Sequence, residues 1–98
     1  MGRKRDTRKE LVEQTGDESL LFADGFDSCI IGWAIYNGTY KVIYDRNKML
    51  LELAKTMTFE EADEYFLYNI QNAYVGDRTP VYVERIQRIQ VDRQEAVD

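Results

Sequence analysis

The chain contains no histidine. That absence removes the commonest general base, the usual partner of a serine or cysteine nucleophile, and the commonest zinc ligand. Any chemistry is left to carboxylates, lysine, tyrosine and backbone. Cys29 is the single cysteine. It cannot close an intramolecular disulfide, and its place in an apolar run predicts a buried packing thiol rather than a reactive one. With one proline, no internal repeat and no low-complexity tract, the chain has no visible linker. No apolar run approaches the roughly 18–20 residues that span a bilayer, and the basic N-terminus lacks the apolar stretch of a secretion signal. The expected location is therefore a cytoplasm, with no membrane partner.

What is present suits one small domain. A chain of 98 residues buries only about 60–65% of the surface it exposes when unfolded, so one modest core is the limit. The formal charge of −5 is unevenly placed. Residues 1–10 carry five basic and two acidic groups, residues 11–36 five acidic and none basic, and residues 58–79 five acidic against Arg78 alone. An acidic body repels nucleic acid phosphate at long range, so only the Gly2–Lys9 arm could touch it, and a solvated terminus is the simpler account of so short a run. The expected organisation is a basic arm over residues 1–15, one domain over 16–91 and a flexible tail over 92–98.

The clearest local signal is Asn37-Gly38 between "CIIGWAIY" and "TYKVIYD", a dipeptide suited to a two-residue type I′ hairpin turn. That turn pairs Tyr36 with Thr39, Ile35 with Tyr40, Trp33 with Val42 and Ile31 with Tyr44. One face of the hairpin then carries Cys29, Ile31, Trp33, Ile35, Tyr40, Val42 and Tyr44 and must be covered. A short amphipathic helix follows, with Met49, Leu50, Leu53, Ala54 and Met57 at helical spacing and Leu51 off the stripe. The next helix starts at a capping box, Thr58 with Glu61, and is expected to end at Gly76, with Ala62, Tyr65, Phe66, Asn69, Ile70 and Ala73 inward. Val81–Val83 reads as a strand, and residues 84–98 are left open between strand, helix and disorder. "RKELVEQTG" reads as a further helix closed by Gly16. The predicted fold class is α+β: a small antiparallel sheet, hairpin plus C-terminal strand, covered on one face by two helices.

Two regions could carry function. In "FADGFD", Asp24 and Asp27 are expected to gather with Asp45 at the open end of the hairpin, and three carboxylates suit a hard cation. The spacing does not fit an EF-hand, because counting from Asp24 the third position is Phe26 and the twelfth Ile35. A turn at Asp24-Gly25 is preferred. The second region is the acidic helix start, Glu60, Glu61, Asp63 and Glu64, readable as dipole complement or as a surface for a basic partner. Leu67 and Tyr68 follow it, an apolar pair rimmed by charge as partner interfaces often show. No glycine-rich phosphate cradle is present.

Taken together, "ADGFDSCIIG" (23–32), "YD" (44–45), "MTFEEADEYFLYN" (57–69) and "AYVGDRTPVYV" (73–83) resemble a family of small proteins of bacteriophages and bacterial genomes. The resemblance implies a short, soluble phage accessory protein acting in the host cytoplasm. The leading expectation is a non-catalytic binding module for a host or phage protein or a small-molecule signal, with no cofactor and no metal. Its expected binding residues are Leu67, Tyr68, Glu64, Asp24, Asp27 and Asp45, and it is expected to form a homodimer through Pro80–Val91. The alternatives are a carboxylate-based metal or nucleotide enzyme and, more weakly, nucleic acid binding through the basic arm.

Overall fold

A computed structural model describes residues 5–86; the C-terminal tail and the strand-or-helix alternative for 87–91 lie outside the described residues. The chain runs α1 (Thr7–Thr15), a 3-10 turn (Asp27–Cys29), β1 (Ile30–Tyr36), β2 (Thr39–Asp45), α2 (Arg46–Leu53), α3 (Phe59–Tyr65), a π-helical turn (Phe66–Gln71) and β3 (Val81–Val83). It is an α+β fold, with a three-stranded sheet in the order β1-β2-β3.

The hairpin forms where Asn37-Gly38 places it, both residues having positive φ (53° and 77°). Pairing follows the predicted register from Tyr36–Thr39 through Gly32–Ile43, then departs from it: Tyr44 pairs with Ile30 and not with Ile31. Ile31 is the extra residue of a β-bulge, so its predicted partnership with Tyr44 is lost. A glycine inside a strand is a common bulge position, because the bend needs little side-chain room. The predicted apolar face is accordingly covered unevenly. Val42 and Tyr44 are buried, Trp33 is half-buried, and Ile31 and Ile35 remain exposed.

The third strand also differs from expectation. β3 runs parallel to β2, pairing Ile43, Tyr44 and Asp45 with Val81, Tyr82 and Val83, so the sheet is mixed and not antiparallel. The reason is the connection: both helices and the π turn lie between β2 and β3, and a crossover of that length returns the chain in the same direction.

The α2 stripe is as the spacing predicts. Met49 and Leu50 are buried, Leu53, Ala54 and Met57 pack against the core, and Leu51 is exposed. Asp45 ends β2 and caps α2, its carboxylate accepting from the Lys48 backbone N–H at 3.2 Å. The Thr58 capping box is complete, with Glu61 N–H donating to Thr58 Oγ1 at 3.1 Å and Thr58 N–H to Glu61 Oε1 at 2.9 Å. The helix then ends short of Gly76. Its last turn is π, keeping Phe66 buried and Ile70 against the core while Tyr65, Asn69 and Ala73 turn outward. Gly76 (φ 108°) serves instead in the turn before β3, where Thr79 bonds back to its carbonyl.

The segment read as an N-terminal arm contributes to the core. α1 is capped by Asp6 and closed by Gly16 in the left-handed conformation, and it buries Leu11. Gln14 also accepts a hydrogen bond from the Trp33 indole N–H at 2.9 Å.

At the centre, Tyr44 is fully buried, and its hydroxyl accepts the Ala23 backbone N–H at 2.6 Å. Tyr82 lies beside it at 5.7 Å between centroids and meets Phe66 edge-on at 5.4 Å. Arg46 stacks over Phe66 at 5.1 Å and pairs with Asp63 of α3 at 3.2 Å and with Glu84 at 3.6 Å. Removing the phenol oxygen in Tyr44→Phe leaves the Ala23 N–H without its partner and should cost about 1–2 kcal/mol in urea unfolding. Burial pushes the Tyr44 hydroxyl up to about 12. The folded chain therefore keeps a proton that the unfolded chain loses near pH 10, so stability should fall as pH rises from about 10 to about 12. Tyr44→Phe should fall less steeply across that window, which urea melts at pH 9, 10.5 and 11.5 would read.

Candidate functional site

The three aspartates of the proposed acidic cluster have separate local duties. Asp24 and Asp27 are held by one cation from α1, Arg8. Its Nε donates to both oxygens of Asp27 at 2.9 and 3.0 Å, and a terminal nitrogen reaches Asp24 at 3.1 Å. The same guanidinium lies 4.8 Å from the centroid of the Phe22 ring. Between the two acids the chain turns, with Phe26 N–H donating to the Ala23 carbonyl at 3.3 Å and Gly25 at φ 90°. "FADGFD" is thus a turn pinned to α1 by an arginine. Asp45 stands apart: its carboxylate, 5% exposed as a residue, caps α2 and accepts Arg85 Nε at 3.2 Å. The expected gathering of Asp24, Asp27 and Asp45 does not occur, and no group of three potential metal-ligating side chains is present among the described residues.

The outer face of α3 and the π turn has a different character. Met57, Glu61, Glu64, Tyr65, Tyr68 and Asn69 line a shallow open groove of about 450 Å³. The row follows from helical geometry, since positions three and four apart share a face and Met57, Glu61, Tyr65 and Tyr68 or Asn69 succeed one another at those steps. Tyr68 is 71% exposed, so its ring is open to solvent beside the groove. Asn69 is held by its side-chain amide, which donates to the Tyr65 carbonyl at 3.2 Å. The lining residues include two carboxylates and no cation, and Glu61 already spends one oxygen on the Thr58 cap.

Of the predicted binding residues, Glu64 and Tyr68 line this groove together. Leu67 is exposed beside it but is not among the lining residues, and Asp24, Asp27 and Asp45 serve elsewhere as described. Met57, Glu61, Tyr65 and Asn69 were not expected there. Their spacing was readable, but Tyr65 and Asn69 also fitted the inward stripe; Tyr65 faces outward within α3 itself and Asn69 within the π turn. Arg8 was missed as the partner of the acidic turn because it lies 16 and 19 residues away in sequence, with no local signature.

Cys29 is buried beneath the hairpin, and burial pushes its thiol above the ordinary range, as suits a packing residue. No helix is long and apolar enough to cross a membrane among the described residues. No protein-family model matches the chain, and neither a curated protein nor a solved structure does.

Titrating Ca²⁺, Mg²⁺ or Mn²⁺ to millimolar levels should leave Tm unchanged, because a ligand that binds only the native state must raise it. A rise abolished by Asp27→Asn would show a cation competing successfully with Arg8. Gly25→Ala should lose about 1–2 kcal/mol in urea melts: the space for a Cβ is open, so the cost comes from the positive φ alone.

Proposed function

We propose that this chain is a non-catalytic binding module of phage-accessory type, acting as a homodimer in the host cytoplasm, whose α3 groove takes a basic segment of a partner protein. The observation that carries this reading is the groove's composition: two tyrosines and a methionine beside Glu61 and Glu64, with no cation among the lining residues. A lysine or arginine side chain suits such a surface twice over. Its aliphatic stem covers apolar area and its cationic head lies on tyrosine faces and against carboxylates. The exposed Glu60 at the same helix start adds to the attraction.

The alternatives are less well supported. A carboxylate-based enzyme would draw on Asp24, Asp27 and Asp45, whose oxygens are engaged by Arg8, by Arg85 and by the α2 cap. Nucleic acid binding through the arm would draw on cations of which Arg5 and Arg8 already face Glu10, Asp24 and Asp27.

A panel of fluorescently labelled nonapeptides rich in arginine or lysine, with charge-reversed glutamate counterparts, tests the reading by anisotropy. Basic members should bind, the more weakly the higher the salt, and the acidic ones should not. Tyr68→Ala and Glu64→Gln should each weaken the best binder about tenfold, near 1.4 kcal/mol, while leaving Tm within a degree or two. Equal binding of acidic peptides, or indifference to both substitutions, would sink the proposal.

A further inference from the structure

β1 is an edge strand. Among the described residues its only strand partner is β2, and apart from Ile30, whose N–H donates to the Asp27 carbonyl of the 3-10 turn, no turn, loop or side chain bonds to its backbone. In an antiparallel ladder closed by a two-residue turn, the pair flanking the turn exchanges both hydrogen bonds and the pairs then alternate. Tyr36, Ala34 and Gly32 therefore direct their backbone groups to β2, whereas Trp33 and Ile35 direct theirs to the open side. Edges are ordinarily guarded by a charge, a proline or a covering element. The run "IIGWAIY" contains neither charge nor proline, and it exposes Ile35 (56%), Tyr36 (65%) and Ile31 (41%).

We propose that this edge pairs antiparallel with β1 of a second copy of the chain about a two-fold axis at Ala34, joining two three-stranded sheets into one of six strands. The proposal rests on the homodimeric part of the proposed function and gives it a different seat from Pro80–Val91. β3 pairs over three residues only, and Arg85, within that segment, is bound to Asp45 of its own chain.

Three features select a second copy as the occupant. First, an antiparallel pair of identical strands closes on itself, as the commonest assemblies do. Second, β1 is uncharged, so two copies of an acidic chain meet here without opposing like charges, and an ionic peptide would gain nothing. Third, the register fits. With Ala34 on the axis, Trp33 of one protomer exchanges both hydrogen bonds with Ile35 of the other, satisfying the outward groups. Ala34 then meets its own copy in the narrow, non-hydrogen-bonded pair, where side chains are closest and a small one is needed. The apolar row of Trp33 and Ile35 continues across the junction. The bulge at Ile31 ends the pairing, leaving Gly32–Tyr36 as the paired stretch.

Sedimentation of the intact chain at 10–100 µM tests the association, and two variants test its seat. Ile35→Pro removes an outward N–H that the hairpin does not use and should shift the dimer to monomer. Ala34→Cys places two thiols at a separation a disulfide accepts, and under mild oxidation it should cross-link to dimer at least tenfold faster than the exposed control Ser19→Cys, with Cys29 buried in both. The cysteine pair leaves the strand unbroken, so it decides the matter even where Ile35→Pro fails to fold. An intact chain that sediments as monomer would overturn both the homodimer and this edge. A dimer that survives in folded Ile35→Pro, or that cross-links no faster at Ala34 than at Ser19, would overturn the edge while leaving a dimer seated elsewhere.

Discussion

A buried phenol cannot be left without a partner, and most of this fold is arranged around the one at Tyr44. Among the described residues β2 is the only strand with a neighbour on each side, and Tyr44 lies near its end, fully buried. Its ring is flanked by Tyr82 of β3, while its hydroxyl reaches the loop before β1 to accept the Ala23 N–H. One side chain thus couples the C-terminal strand to the turn that precedes the hairpin. That turn is in turn fixed to α1 by Arg8, so the N-terminal helix is joined to the core through the same point as well as through Leu11. Because the phenol is deeply buried, its ionisation is costly even though the Ala23 N–H favours the phenolate, and stability at high pH falls accordingly.

Charge is handled with similar economy. Asp45 closes β2, caps α2 and binds the arginine that follows β3, while Arg46 next to it spans α2, α3 and Glu84. Asp17 does the same for the loop after α1: it accepts Arg78 at 2.9 Å and the Ser19 N–H, and both bonds hold its carboxyl below the usual carboxylate range. The arginines of the Asp45 and Asp17 pairs lie partly in solvent, which limits what each pair contributes to stability. Their larger effect is on chemistry, because a carboxylate whose oxygens are occupied by guanidinium and backbone N–H is a poor ligand for a cation and a poor general base. The acids at the α3 groove differ in kind. Glu64 makes no hydrogen bond or ion pair among the described residues, and its ordinary partner is solvent.

What could be read from the sequence was what depends on near neighbours. Asn37-Gly38 specifies its turn because only a few residue types accept positive φ twice in succession, and the first rungs of the hairpin follow from it. Thr58 and Glu61 specify a helix start for the same local reason, as does the apolar spacing of α2. The misread features depend on partners distant in sequence or on a shift of one residue. The Ile31 bulge, the π turn after Tyr65 and the direction of β3 each follow from how the whole core closes, and each moves a row of side chains between faces. The candidate site shows both cases. Glu64 and Tyr68 were legible because they lie on the outer face under any helical reading, whereas Tyr65 and Asn69 border the buried stripe and fitted either face.

The π turn bears on how far the groove runs. Tyr65 already faces outward at the end of α3, before the widening begins. The π turn keeps Phe66 and Ile70 against the core with Asn69 outward, so the groove row begun on α3 continues past it. Such turns give up regular backbone geometry and recur where a protein needs side chains in a particular place. The exposed β1 edge has a comparable origin, since the bulge that frees Ile31 also limits the length of strand available for pairing. The two surfaces share no residue, one being built from Met57–Asn69 and the other from Gly32–Tyr36. A chain joined to its copy along β1 would therefore present two α3 grooves with their linings intact, and a partner with two basic segments would gain from the effective concentration this creates.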